Sequence, residues 1–235
     1  SPLCLGGTIV GADETLWTTE TPTEATTGDN NSVEVGVKFR SNKNGVIKGI
    51  RFYKGPGNGG THIGSLWTTA GALLGSATFS GETASGWQEV LFSTPVSITA
   101  NTTYVTSYFA PQGNYSRTID YFLGYTHSNG NSLTAPAWTV SERNAVYRYS
   151  AVSTYPGDDF SEPNYWVDVV FAADVNVPST TTCTANGVVL GGGTGAWSSS
   201  NNAVATVDNA GVVTAEARGE ERRVWTERGG WCRAG

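Results

Sequence analysis

The chain has 235 residues, of which 30 are glycine, none is methionine and only 14% are charged, a profile of short strands joined by turns rather than of helices. Its formal charge of −6 offers no basic surface to a phosphate backbone, so nucleic acid is excluded as an expected partner. No run reaches the roughly 18 apolar residues that a membrane-spanning helix needs, and no lipid-attachment pattern is complete, so no membrane span is expected.

The length suits one large β-domain followed by a small one. No charged segment leading into an apolar run stands at Ser1, so a secretion signal, if the protein has one, is expected outside this stretch. The first clear strand is Val33-Glu34-Val35-Gly36-Val37-Lys38-Phe39, whose apolar residues fall on every second position and share one face of a pleat. Asn42-Lys43-Asn44-Gly45 follows as a turn, and Val46 to Tyr53 as the returning strand of a hairpin, because Asn-Gly suits positive φ. Further strands are expected over Ser65 to Trp67, Ala72 to Phe79, Trp87 to Phe92, Thr103 to Ala110, Tyr121 to Tyr125, Ala145 to Tyr149 and Tyr165 to Phe171. Gly, Pro, Asn and Asp punctuate them, as in Gly55-Pro56-Gly57-Asn58-Gly59-Gly60 and Pro156-Gly157-Asp158-Asp159. No stretch of helical period interrupts the series. The fold class expected is all-β: a jelly-roll-like β-sandwich over residues 1–173.

A polar stretch carrying Pro178 and then Thr180-Thr181-Thr182 reads as a linker over 174–182. Beyond it, short strands around Val188-Val189-Leu190, Ala203 to Val207 and Val212 to Ala215 suggest a second, smaller β-domain over 183–217. Residues 218–235 form an atypical basic tail, holding Arg218, Arg222, Arg223, Arg228 and Arg233 among the 14 Lys and Arg of the chain; a solvated end is favoured over a docking role. Cys4, Cys183 and Cys232 lie too far apart for a metal-type pair, and both one disulfide with a spare thiol and three unrelated thiols remain open.

Several ordered motifs carry a family resemblance: Gly49-Ile50-Arg51-Phe52-Tyr53-Lys54-Gly55, Gly60-Thr61-His62-Ile63-Gly64-Ser65-Leu66-Trp67, Glu82-Thr83-Ala84-Ser85-Gly86-Trp87-Gln88, Thr102-Thr103-Tyr104-Val105, Tyr108-Phe109-Ala110-Pro111 and Asn164-Tyr165-Trp166-Val167-Asp168-Val169-Val170-Phe171. Together they resemble the domain-of-unknown-function 4082 family of secreted bacterial multidomain proteins. The resemblance implies an extracytoplasmic β-sandwich, secreted or at the cell surface, beside immunoglobulin-like repeats and carbohydrate-active modules. It brings no catalytic residues. Trp197 to Ala215 is similar to bacterial immunoglobulin-like domains of group 2, in which a final strand would follow where Arg218 to Gly235 stands here; an incomplete immunoglobulin-like β-domain is therefore expected.

Sugar rings present flat C–H faces that exposed Trp and Tyr can cover, while amide, acidic and basic groups bond the hydroxyls at the rim. The chain has 8 Trp and 10 Tyr. Trp67, Trp87 and Trp166 sit in strand-like runs and are expected in the core. The ligand candidates are Tyr115, Arg117, Tyr125, His127, Trp138 and Arg148, which interleave in loop-rich sequence without a core-like period. The glycine-dense Gly55 to Gly64 loop, with His62, lacks the Lys-Ser or Lys-Thr ending of a phosphate loop, so its glycines are expected to serve turns. A structural Ca²⁺ would draw on Glu34 and Asp168, placed opposite the apolar faces of their strands, with Asp29, Asn30, Asp158, Asp159 and Glu162 in loops; ordinary solvated carboxylates are the competing reading.

No Gly-x-Ser-x-Gly elbow, His-Glu-x-x-His helix or Cys-His signature occurs. The expectation is a non-catalytic accessory module of a secreted bacterial multidomain protein that binds a glycan or polysaccharide and adjoins neighbouring domains. The alternatives are an architectural spacer or adhesion module without a small-molecule ligand and, less favoured, a glycan hydrolase, whose paired carboxylates would be visible only in space.

Overall fold

The computed structural model describes residues 10–159 and 162–174 throughout and, outside them, only short strand segments. Among the described residues no helix is long and apolar enough to cross a membrane. A compact unit spans Ala12–Ala173, and a second comprises Ser1–Gly11 with Asp174–Gly235. In the second, β1 (Cys4–Leu5) pairs with β19 (Trp231–Arg233), which pairs with β18 (Arg223–Val224); β14 (Thr182–Thr184), β15 (Gly187–Val189), β17 (Val212–Ala215) and β16 (Ala205–Val207) form another antiparallel sheet. Apart from these strands and Asp174, the 174–182 linker, the 183–217 domain and the 218–235 tail fall outside the described residues, as do the side chains of all three cysteines.

The compact unit is all-β and built from two antiparallel sheets. The smaller has the order β2 (Val10–Glu14), β13 (Val167–Asp174), β4 (Gly45–Lys54), β7 (Gly86–Ile98). The larger runs β12 (Asp158–Asp159), β11 (Val146–Tyr149), β3 (Val33–Ser41), β8 (Tyr104–Ala110), β5 (Ile63–Thr68), β6 (Leu73–Thr78), and β10 (Leu133–Ala135) pairs with both β3 and β9 (His127–Ser128).

Alternation dictates which side chains meet between the sheets. Val33, Val35, Val37 and Phe39 of β3, Ile50 and Phe52 of β4, and Val167, Val169 and Phe171 of β13 are all buried in one core. Phe52 stacks on Tyr108 of the opposite sheet at 4.1 Å between ring centroids, and Phe79 meets Phe52 edge-on at 4.8 Å. Each such buried side chain contributes about 1.5–3 kcal/mol relative to exposure. Trp67 and Trp166 are buried as expected, whereas Trp87 is half-buried beneath the Arg51 guanidinium, 4.6 Å from its ring.

Two expectations fail in an instructive way. β3 and β4 do not form a hairpin: β3 pairs with β8, β10 and β11, and β4 with β7 and β13, so residues 42–44 carry the chain from one sheet to the other. Gly45 is there for room. A Cβ at that position would lie 2.4 Å from the Ala172 carbonyl oxygen and 2.5 Å from the Phe171 ring. The aromatic run Tyr121–Tyr125 is turn rather than strand, because Asp120 and Gly124 take positive φ of 54° and 70° and break the extended backbone.

Candidate functional site

Strand β11, flanked by β3 and the two-residue edge strand β12, reads Val146-Tyr147-Arg148-Tyr149, and its register sets Tyr147 opposite Val35 and Tyr149 opposite Val33. The two tyrosines therefore lie on the face that carries the core, while Val146 and Arg148 lie on the other face. Tyr147 packs against the core, Tyr149 is half exposed, and their rings meet edge-on at 5.7 Å.

Two crossing segments complete the enclosure. Residues 24–31 are laced to 113–117: Glu24 and Arg117 exchange backbone bonds of 3.0 and 2.9 Å, Thr27 N–H donates to Tyr115 O, and Asn114 N–H donates to Asp29 O at 2.6 Å. Gly113 permits the last contact, for it has φ of 59° and a Cβ there would sit 2.0 Å from Asp29 O. Residues 163–166 are fixed in turn to Thr118, through backbone bonds between Thr118 and Asn164 and a 3.0 Å bond from Trp166 Nε1 to Thr118 Oγ1. This seats Tyr165 edge-on against Tyr115 at 5.5 Å.

The result is a cleft of about 360 Å³ lined by Tyr115, Tyr147, Tyr149 and Tyr165 with Asp29, Arg117, Thr27, Ile119 and Pro163. Its charged groups are engaged by neighbours. Arg117 Nε donates to Glu24 at 2.5 Å, a bond that, against partial burial, raises its pKa further. Burial opposes ionisation of Asp29, but bonds from the Tyr149 hydroxyl (2.5 Å) and from Asn31 outweigh it and hold the carboxyl below its ordinary range. The same Asp29 bond, reinforced by burial, raises the Tyr149 phenol and keeps it protonated as a donor.

Of the six ligand candidates, the cleft gathers Tyr115 and Arg117. Tyr125 is half exposed and packs edge-on against Tyr121 and His127. His127 is buried, stacked on Trp17 at 5.1 Å and bonded through Nε2 to Leu16 O at 2.8 Å. Trp138 lies beneath Arg143, and Arg148 reaches Asp158 at 3.4 Å. Asp29, Tyr147, Tyr149 and Tyr165 complete the cleft. The Tyr-Arg-Tyr alternation could have revealed the β11 pair, whereas Tyr165 stood inside a run read as strand.

Glu34 and Asp168 belong to different sheets and are both fully buried despite pointing away from the core. Glu34 accepts from Ser107 Oγ at 2.6 Å and Thr154 N at 3.3 Å, under the 150–157 segment; burial, opposed by these bonds and one from Ser153, pushes it up to about 7. Asp168 accepts from the N–H groups of Leu16 (2.8 Å) and Trp17 (3.2 Å) and faces its cross-strand partner Arg51 at 3.4 Å; burial, opposed first by Arg51, pushes it up to about 6. Among the described residues no group of three His, Cys, Asp or Glu side chains converges on a metal position. His62 is likewise internal, bonded to Glu82 and to Asn58.

Two antiparallel sheets with a tyrosine-walled cleft at one margin define an all-β module. The chain belongs to the family described as Domain of unknown function (DUF4082), which matches residues 19–167 and so includes every residue lining the cleft. No curated protein matches the chain.

Proposed function

We propose that this protein is a non-catalytic, carbohydrate-binding accessory module of a secreted or cell-surface bacterial multidomain protein, and that the tyrosine cleft is its binding site. The observation that carries this reading is the convergence of four tyrosines from three separate segments around an open cleft with Asp29 and Arg117 at its rim. Aromatic faces cover the C–H faces of sugars, and a few fixed polar groups select hydroxyls. A hydrolase would need one carboxylic acid with a raised pKa beside a second carboxylate; Asp29, the carboxylate lining this cleft, is held low instead.

In this reading the two sheets form a jelly-roll-like sandwich, residues 174–182 tether it to an incomplete immunoglobulin-like domain over 183–217, and neighbouring domains supply any catalysis. Screening the protein on immobilised plant, microbial and animal glycans tests the proposal. Retention on a glycan that is lost in Tyr149→Ala supports it. Failure to bind any glycan would favour the spacer or adhesion alternative.

A further inference from the structure

Next to the cleft lies a second concavity of about 410 Å³, lined by Asn31, Ser32, Tyr149, Ser150 and Ala151. Tyr149 is a wall of both, and a second link joins them, since Asn31 donates to Asp29 through its N–H (3.0 Å) and its side-chain amide (2.9 Å). One of the residues lining the second concavity also carries an unused polar atom: the Ser32 hydroxyl is buried without a hydrogen-bond partner, a condition that is unfavourable unless water or a ligand answers it. The Ser32 carbonyl is engaged by Ser150 N–H, so the hydroxyl is the polar group of this lining residue left without a partner, and a turn about its Cα–Cβ bond would be needed to present it to a guest.

We propose that the two concavities are adjoining subsites for one neutral oligosaccharide, with the Tyr149 ring between successive sugars and the Ser32 hydroxyl, turned outward from its buried and unpartnered position, bonding the second. This rests on the carbohydrate-binding reading and deepens it. The length follows from size: either space is in the lower part of the range that holds a small-molecule ligand, roughly 300–1,000 Å³, so a single sugar occupies one and leaves the other empty. The neutrality follows from charge. Arg117, the cation lining the first space, is already paired with Glu24, which lies outside the lining, so an incoming uronate, sulfate or phosphate meets the Asp29 carboxylate and no unpaired cation among the residues lining the two spaces.

The test is titration calorimetry of the whole chain with cello-, xylo-, malto- and chito-oligosaccharides of one to six units, alongside galacturonate oligomers of the same lengths. For the neutral series that binds, affinity is expected to rise at least tenfold between one and three units and then level off. Ala151→Trp, placed at an exposed position in the second space, is expected to reduce long-chain affinity to that of the single sugar while leaving single-sugar affinity within twofold. Circular dichroism and thermal melting confirm that the variant is folded, and Ser32→Ala gives a second, smaller perturbation of the same subsite, expected to lower only the affinity of oligomers. Length-independent binding, or an Ala151→Trp variant that keeps the full length dependence, overturns the two-subsite proposal while the carbohydrate reading stands. Galacturonate oligomers binding as tightly as neutral ones overturn the neutrality. Absence of binding to every sugar overturns the carbohydrate reading and this proposal with it.

Discussion

Two aromatic clusters of this protein use similar side chains to opposite ends. In one, Trp17, Tyr121, His127 and Trp166 close on themselves: Trp17 Nε1 donates to the Tyr121 hydroxyl at 3.0 Å, that hydroxyl meets His127 Nδ1 at 3.1 Å, and His127 Nε2 reaches Leu16 O at 2.8 Å. A carbonyl only accepts, so Nε2 carries the ring proton and the Tyr121 hydroxyl donates to Nδ1 in the neutral imidazole. Every polar tip in that chain is answered from within. In the other, Tyr115, Tyr147, Tyr149 and Tyr165 line an open cleft, and Tyr149 stays half exposed with its hydroxyl turned to Asp29. Aromatic and polar residues interleaved in sequence thus do not by themselves form an open cleft; here the cleft forms at a sheet margin where core-facing positions run out of partners.

The closed cluster acts in stability, and removing it is expected to have the largest effect. Trp17→Ala removes a wholly buried indole and is expected to lower unfolding free energy by about 3–5 kcal/mol in urea denaturation; a change below about 1 kcal/mol would show that the cluster is not core. His127→Ala leaves the Leu16 carbonyl and Tyr121 hydroxyl without their partner and is expected to cost about 1–3 kcal/mol, with glycan affinity unchanged.

A pH series sharpens the contrast between buried and open carboxyls. The folded-state value of Glu34, about 7 against an ordinary 4.5, lies above its unfolded value, so its contribution is fully present below about pH 4.5 and is lost as pH rises through 7. The shift corresponds to stability on the order of 3 kcal/mol. Glu34→Gln is expected to flatten that part of the decline in urea midpoints between pH 4.5 and 8. A residual decline of the same sign remains from Asp168, raised to about 6, and from Glu162, which burial and then Asp159 raise to about 7. An unchanged slope in Glu34→Gln would contradict the assignment. The smallest stability effect belongs to the cleft: Tyr149→Ala, at an edge and half exposed, is expected to cost less than about 1 kcal/mol by the same measurement.

Much of the fold was legible because alternation is a local property. β3, β8 and β13 stand where Val33-to-Phe39, Thr103-to-Ala110 and Tyr165-to-Phe171 placed them, within a few residues. The sheet assignment of β4 was not, because Asn-Gly signals a tight turn equally well when glycine is needed for close approach to Ala172 and Phe171. The candidate site was legible only in part. Tyr115 and Arg117 stood out as loop residues of the right chemistry, but their meeting with Tyr149 and Tyr165 depends on the pairing of β11 with β3 and of Thr118 with Asn164, contacts distant in sequence. Nor could strand position reveal that Glu34 is covered by residues 153–154, since the covering segment lies about 120 residues away.

The most direct test of the central claim compares binding by the two clusters. In affinity electrophoresis on the glycan that retains the wild type, Tyr147→Ala/Tyr149→Ala is predicted to lose retention at least tenfold, while Tyr125→Ala, equally exposed but outside the cleft, migrates as the wild type does. Retention that survives loss of the cleft tyrosines and falls with Tyr125→Ala would contradict the account.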